Sequence, residues 1–408
     1  MESVIQTMIN CIAYEVCGQN EKIVLPEVSA RFLSEVYKLS KAHDMAHLVG
    51  DALNKSGVFE NLPDDMDEKE RAAIEKVKEK FDEQIFTAVY RYENINYELE
   101  RLKETLEEAK IPFIPLKGAV IRKYYPEPWM RTSCDIDILI KNADTDIAIG
   151  ILCKAGYIRT EDSSTHDYNL VSSNGIHIEL HFTLTQGEDF CAANELVKTI
   201  WNEAILDEGE CCYSLIPETI VFYHLLHMAR HILHGGCGVR PFIDLWLLNK
   251  KMIYDQQKLE IMLINGGLFA LDKAALCLCK VWLENGEHNS NTRALEKYII
   301  NGGVYGTAEN SARVQAAKKV GKLKLFFNIM FLKKETLAVI YPKLKKHPLL
   351  LPWYQIKRWF RIFNKDKRDK VKTLIKRRNE VQLNNKKDTE DMLKSLDLLN
   401  TNNNFSFR

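Results

Sequence analysis

The sequence predicts an α+β fold: a small mixed β-sheet with its own helices, flanked by N-terminal and C-terminal helical regions. Residues 135–140 (DIDILI) and 176–181 (IHIELH) alternate polar and apolar residues, as half-buried strands do. Apolar residues recur every three or four positions from residue 1 to about 110 and again from about 216 to 283, which is typical of amphipathic helices. With 408 residues, the chain is long enough for two or three domains.

These patterns divide the chain into predicted parts. Residues 1–98 form an N-terminal helical region, residues 99–205 the core that holds the sheet, and residues 206–317 a helical domain that completes a cleft. Residues 318–378 form a basic segment with interleaved aromatic residues, and the Asn-rich residues 379–408 are predicted to be a disordered tail. The basic segment is either a cap that covers apolar surface or a surface for a peripheral membrane, RNA or acidic partner.

Composition narrows the classes of function. A net charge of zero argues against nucleic-acid binding driven by the overall charge of the protein. The ten cysteines include no CxxC pair, so they are expected to be free thiols in a reducing compartment. No secretory signal and no apolar run of membrane-spanning length is apparent, so we expect a cytoplasmic protein without a transmembrane segment.

Three acidic residues lie on the polar faces of the two predicted strands. Asp135 and Asp137 are two residues apart, so both carboxylates point to the same face of the first strand. The turn Asn174-Gly175 predicts a hairpin whose second strand carries Glu179. Burying carboxylates is costly unless a cation offsets their charge, and three such oxygen ligands suit Mg²⁺, which takes further ligands from substrate phosphates. The acids therefore predict a site for a metal and a nucleoside triphosphate.

The turn before the first acidic strand is the expected phosphate site. Lys117, Gly118 and Ala119 follow an apolar run and precede a helix start, a layout that brings backbone N–H groups near phosphate oxygens. Arg131 lies four residues before Asp135, where it either clamps a triphosphate or neutralises the acids.

The order Lys117-Gly118, Arg131, Asp135-Ile136-Asp137 and Glu179 resembles the DNA-polymerase-β-like nucleotidyltransferase superfamily. More narrowly, residues 99–182 look like a bacterial family of uncharacterised nucleotidyltransferases. The resemblance implies Asp135, Asp137 and Glu179 as catalytic residues and ligands of two Mg²⁺ ions, and Lys117, Gly118, Ala119 and Arg131 as nucleotide-binding residues. It implies transfer of a nucleotidyl group from an NTP, with ATP as the default, to a hydroxyl of an unidentified small molecule, sugar or protein, with release of pyrophosphate. The superfamily has Gly or Ser where this chain has Ala119, so phosphate contacts there would fall to backbone N–H groups.

Histidines surround the predicted site in the sequence. His177 and His181 share the face of Glu179, and His224, His227 and His231 share one face of a predicted helix. This helix face either holds a transition metal or lines the cleft, and the resemblance favours the cleft, because related enzymes pair the catalytic domain with a helical one. The predicted cleft-lining residues are His177, His181, His227, Arg230, His231, Arg240 and Asp244. His43 and His47, four apart, are expected to be a helix-packing or surface pair rather than a metal site, because no third ligand is evident.

Two other functions stay open at the level of sequence. A degenerate nucleotidyltransferase domain would bind a nucleotide or partner without turnover, and Ala119 is its best support. An adaptor would instead act through the basic residues 318–378 at a membrane or on RNA.

Overall fold

The computed structural model describes residues 2–18, 22–187, 189–318, 337, 341, 350–362 and 386–399. The α+β class predicted from sequence is confirmed, with a seven-stranded mixed sheet and helices before and after it. The helices are α1 (Glu2–Cys17), α2 (Ala30–Ala42), α3 (Ala46–Lys55), α4 (Glu68–Glu108), α5 (Gly118–Ile121), α6 (Thr145–Lys154), α7 (Cys191–Lys198), α8 (Pro217–His234), α9 (Arg240–Lys251), α10 (Gln256–Gly266), α11 (Phe269–Leu283), α12 (Ser290–Ile300), α13 (Ala308–Ala317), α14 (Leu351–Ile362) and α15 (Lys386–Ser395). The strands are β1 (Phe113–Pro115), β2 (Asp135–Ile140), β3 (Ile158–Ser163), β4 (Asp167–Val171), β5 (His177–His181), β6 (Ile205–Glu208) and β7 (Cys212–Ser214).

The sheet has the strand order β3-β4-β5-β2-β1-β7-β6. The predicted hairpin is present as the antiparallel pair β4–β5, and β5 lies parallel to β2. β1 runs antiparallel to β2 on the other side. β2 therefore occupies the centre of the sheet, where its apolar residues are buried on both faces.

Two apolar cores cover the two faces of the sheet. Ile136, Ile138 and Ile140 on β2 pack on one face against the second half of α4 and against α6. Residues on the opposite face, such as Leu139, belong to a larger core. The rest of this core comes from helices that precede and follow the sheet in the sequence. The alternation of the strands thus sets which core each side chain enters, and the acids of β2 point toward the larger one.

Two predicted domain boundaries fall inside elements of the structure. The boundary at 98/99 lies within α4, which continues unbroken from the larger core to the sheet. The boundary at 205/206 lies at the start of β6, which joins the sheet through β7 and β1. Helix periodicity does not show where one core ends and another begins, so the sequence places these boundaries within continuous elements.

The prediction of a disordered tail is wrong for residues 386–399. This segment contains α15, which contacts α12 and α13. Met392, Leu393, Leu396 and Leu398 are buried in the larger core. The Asn-rich flanks hide this short apolar periodicity in the sequence. Most of the basic segment 318–378 lies outside the described residues, and within the described ranges no helix is long and apolar enough to cross a membrane.

Leu393→Ala should lower the free energy of unfolding by about 2–5 kcal/mol, because Leu393 is completely buried and the substitution leaves a cavity. Lys387→Ala, an exposed change on the same helix, should have little effect. Urea denaturation followed by circular dichroism measures both. Equal stabilities of the two variants would show that α15 does not pack as described.

Candidate functional site

The register of β2 and β5 brings the predicted acids together. Asp137 pairs directly with Glu179, and Asp135 pairs with His177. Residues paired across parallel strands project to the same face, so the carboxylates of Asp137 and Glu179 are neighbours. Ligand atoms of Asp137, Glu179 and His181 lie within 4.8 Å of one another, a spacing at which they could hold a metal ion.

Lys117 supplies the positive charge among these acids. Its Nζ lies 2.5 Å from Asp137 Oδ1 and 3.7 Å from Glu179 Oε2. His181 Nε2 lies 2.8 Å from the same oxygen of Asp137. Lys117 has a φ of +44°, in a region that L-residues rarely adopt, so the turn that aims its side chain at the acids is strained.

The acids differ in their electrostatic environments. Burial raises the pKa of the Asp135 carboxyl to about 6, and the charge of Asp137 adds to this effect. Burial also acts on Asp137, but the Lys117 ammonium and the His181 imidazole hold its pKa well below the usual range. In turn, Asp137 offsets the burial of Lys117 and keeps its pKa above the ordinary value. Asp137 is therefore a charged, already neutralised carboxylate, whereas Asp135 has no cationic partner as close in the described part of the chain.

The geometry of the turn explains why residue 118 is glycine and bears on the predicted phosphate contact of Ala119. A Cβ on Gly118 would lie 2.8 Å from Arg131 Nη1 and 3.3 Å from Ser133 Cβ, so only glycine fits without movement. The backbone N–H of Ala119, predicted to contact phosphate, donates instead to Leu116 O at 3.1 Å in this structure. The N–H that the sequence pattern made available for phosphate is therefore used in the first turn of the short helix α5.

Arg131 pairs with Asp244 rather than with the acids of the sheet. Its Nε and Nη2 donate to the Asp244 carboxylate at 3.0 and 2.9 Å, and both side chains are buried. Tyr125 Oη donates to Asp244 Oδ1 at 2.8 Å. The Arg131 guanidinium keeps the pKa of Asp244 below its usual range despite burial of the carboxyl. Arg131 thus forms its ion pair with Asp244 and not with the sheet acids that it was predicted to neutralise, and its alternative role at a triphosphate stays a prediction.

A cavity of about 390 Å³ opens between the sheet and the helices α8 and α9. Ten of the predicted site residues line it: Lys117, Gly118, Arg131, Asp135, Asp137, Glu179, His227, His231, Arg240 and Asp244. Among the described residues, the wall holds five carboxylates and three Lys or Arg side chains, and each of these cations pairs with a carboxylate. The wall is thus negatively charged, so an anionic ligand requires an added cation to bind there.

The histidines of α8 form the opposite wall. His227 Nε2 and His231 Nε2 are 2.9 Å apart. Burial lowers the pKa of His231 to about 4 and that of His227 well below its ordinary value, and the charge of Lys117 acts in the same direction. Both rings are consequently neutral at pH 7, and His224 uses its Nε2 on Pro241 O at 2.8 Å. This face lines the cavity, as the cleft interpretation expects.

Three predicted cleft-lining residues do not reach the cavity wall. His177 is exposed at the start of β5, because the strand alternation continues past the cavity edge. His181 is buried behind Asp137. Arg230 turns to Leu184 O and Asn194 Oδ1, on another side of α8. His43 and His47 are buried and bond to backbone carbonyls, as the packing interpretation expects.

Sequence reasoning missed several residues of the wall, among them His166, Asp167 and Tyr223. His166 and Asp167 contact each other at 2.9 Å, and Asp167 pairs with His181 across the hairpin. Counting outward from the turn at Asn174-Gly175 would have placed Asp167 there. Tyr223 also lines the cavity, and its buried hydroxyl has no hydrogen-bond partner among the residues that the structure describes. No sequence signal separates Tyr223 from the apolar residues around it.

Comparison with known proteins gives one match. Residues 31–284 match the model of a family described as "uncharacterised nucleotidyltransferase". No curated protein and no solved structure matches the chain. The matched range contains the sheet, the three acids and the helices α8 and α9.

Asp244→Asn should lower the free energy of unfolding by about 3–5 kcal/mol, because it leaves the buried Arg131 guanidinium without its counter-charge. Asp44→Asn removes a partner from Arg240 in a more exposed ion pair and should cost at most about 1 kcal/mol. Chemical denaturation of both variants gives the comparison. Similar small losses in both would contradict a buried pair.

Proposed function

The chain belongs to this family of uncharacterised nucleotidyltransferases, and we propose that it moves a nucleotidyl group from a nucleoside triphosphate to a hydroxyl of an acceptor, with release of pyrophosphate. ATP is the first donor to test. The observation that carries the proposal is the pairing of Asp137 with Glu179, next to Asp135, on the wall of the cavity. An acid pair on one strand and a third acid on its neighbour support a place in the DNA-polymerase-β-like superfamily.

The residues of the site fit a divalent cation. The wall carries more carboxylates than cationic side chains, and Asp135 has a raised pKa because burial and a neighbouring carboxylate disfavour its charge. In the proposed enzyme Asp135, Asp137 and Glu179 would hold Mg²⁺, which when bound supplies the positive charge that triphosphate oxygens need. His181 would keep the Asp137 carboxylate oriented through its 2.8 Å contact.

The protein's own residues have assigned tasks in this proposal. Lys117 neutralises Asp137 and Glu179 before substrate binds, and its ammonium is placed to turn to a phosphate oxygen when another cation takes over those carboxylates. Gly118 lets the side chains of Arg131 and Ser133 pack closely against the turn that carries Lys117. The neutral imidazoles of His227 and His231 and the hydroxyl of Tyr223 offer polar contacts without charge on the opposite wall. The acceptor hydroxyl belongs on the side of Asp135, which keeps an unneutralised carboxylate.

The cysteines and the charges of the protein support a proposal for its compartment and for the class of its acceptor. Cysteines of the described residues such as Cys11, Cys237 and Cys279 are free thiols, which supports a reducing compartment such as the cytoplasm. A net charge of zero and a negatively charged cavity wall disfavour a nucleic-acid template and favour a small-molecule, sugar or protein acceptor.

A binding protein without turnover is the second candidate. Two observations favour it: Lys117 occupies the position between Asp137 and Glu179 that a metal would take, and the N–H of Ala119 is already bonded. Such a protein would bind its ligand equally well with and without a divalent cation.

Calorimetric titration with ATP, GTP, CTP and UTP should show binding of at least one nucleotide that depends on Mg²⁺. Asp135→Asn/Asp137→Asn should abolish this binding, because the metal ligands are lost. The matched control is Asp144→Asn/Asp146→Asn, which removes an acid pair of the same spacing at the start of α6, away from the cavity. Magnesium-independent binding that survives in the first variant would support the second candidate.

Lys117→Met should change how the protein responds to metal. Without Mg²⁺ its melting temperature should fall, because Asp137 loses its counter-charge; added Mg²⁺ should raise it by several degrees more than in the wild type, since no ammonium competes for the carboxylates. Differential scanning fluorimetry without nucleotide measures this, with Lys123→Met as the control outside the cavity. An unchanged response to Mg²⁺ would argue against metal binding at these acids.

A further inference from the structure

A second cavity, of about 270 Å³, adjoins the first. The two share Cys134, Val304 and Tyr305 as lining residues. The rest of the second wall comes from the α2–α3 junction, from one stretch of α4 and from Thr132. Because Cys134 lines both cavities and directly precedes Asp135, the second cavity lies next to the Asp135 end of the acid cluster.

The second cavity differs from the first in its charge. Lys41 and Arg91 line it, and in the described part of the chain neither has a carboxylate within 4.0 Å. Lys41 Nζ donates to Tyr37 Oη at 3.2 Å, and Arg91 Nη1 contacts Cys134 Sγ at 3.9 Å. Asp44 is the carboxylate of this wall, and it is bonded to Arg240 and Thr132. The cations of the first cavity are all neutralised, whereas Lys41 and Arg91 keep their charge available.

The start of α3 adds a second feature that favours an anion. Ala46 and His47, in its first turn, line the cavity. The N-cap residue Met45 provides no side-chain hydrogen bond to this turn. Uncapped N–H groups at the start of a helix carry partial positive charge and bind phosphate oxygens well. Two cations without a carboxylate partner among the described residues and the first turn of α3 therefore line the same cavity.

We propose that the second cavity binds a phosphate group of the acceptor, so that the substrate accepting the nucleotidyl group is a phosphorylated, hydroxyl-bearing molecule. The identification of the ligand as the acceptor rests on the proposed function, whereas the phosphate site itself does not. The proposed donor site consists of Lys117, Gly118 and the acids of the sheet. None of these residues lines the second cavity, and Asp135 is adjacent in the chain to Cys134, which does. A phosphate held by Lys41 and Arg91 would anchor the acceptor with its hydroxyl toward Asp135.

The test is a calorimetric titration of the full chain with inorganic phosphate, without metal or nucleotide. The wild type should bind phosphate, and Lys41→Ala/Arg91→Ala should bind it at least about tenfold more weakly, because two charge-assisted contacts are removed. Lys38→Ala/Lys80→Ala removes two exposed cations from the same helices, α2 and α4, outside the cavity, and should bind as the wild type does. Acetate, a monoanion, should bind more weakly than phosphate to the wild type.

A second variant tests the charge without shortening a side chain. Gln84 lines the cavity on α4, and Gln84→Glu places a carboxylate there at nearly constant volume. This variant should also weaken phosphate binding by about tenfold while circular dichroism stays unchanged, since Glu is an equally good helix former. Phosphate binding that is absent in the wild type, or equal in all variants, overturns the proposal.

Titration with ATP and Mg²⁺ separates this proposal from the proposed function. Lys41→Ala/Arg91→Ala should keep the nucleotide affinity of the wild type; a loss would assign these cations to the donor and overturn the acceptor assignment. If no nucleotide binds the wild type but phosphate binding depends on Lys41 and Arg91, the nucleotidyltransferase function fails and the phosphate site stands by itself.

Discussion

The buried ion pair of Arg131 and Asp244 fixes the geometry on which the candidate site depends. Arg131 lies in the loop that leads into β2, Asp244 lies on α9, and Tyr125 donates to the same carboxylate. Separating them would leave a charge buried without a partner, which costs several kcal/mol. The pair therefore joins the sheet to the helices α8 and α9, and the cavity lies between the two parts that it joins.

The charges around the cavity fall into two groups. Asp137, Asp244 and Asp44 each have a cationic partner within 3.0 Å, so these ion pairs shape the walls. Asp135 on one side, and Lys41 and Arg91 on the other, lack such a partner in the described residues and are therefore the groups with charge left for a ligand. Their opposite signs on either side of Cys134 provide separate positions for a metal with its triphosphate and for an anionic acceptor.

Much of the fold follows from local patterns in the sequence. Strand alternation in DIDILI and the Asn174-Gly175 turn predict the strands, and the register between β2 and β5 then brings Asp137 to Glu179, as expected. The partner of Arg131 could not be predicted, because Asp244 is more than a hundred residues away and only packing brings it near. The hydrogen bond of Ala119 N–H depends on where a four-residue helix begins, which pattern reasoning does not resolve. Burial of α15 likewise depends on distant helices.

Helix α4 has a consequence for how the chain acquires its structure. Ile74, Val77 and Phe81 in its first half belong to the larger core, whereas Leu99, Leu102 and Leu106 in its second half belong to the core behind the sheet. A helix is stabilised mainly by the packing of its apolar face, so each half of α4 stabilises the other through continuous backbone hydrogen bonds. The two cores are thus thermodynamically linked, and we expect them to unfold as one cooperative unit rather than as separable domains.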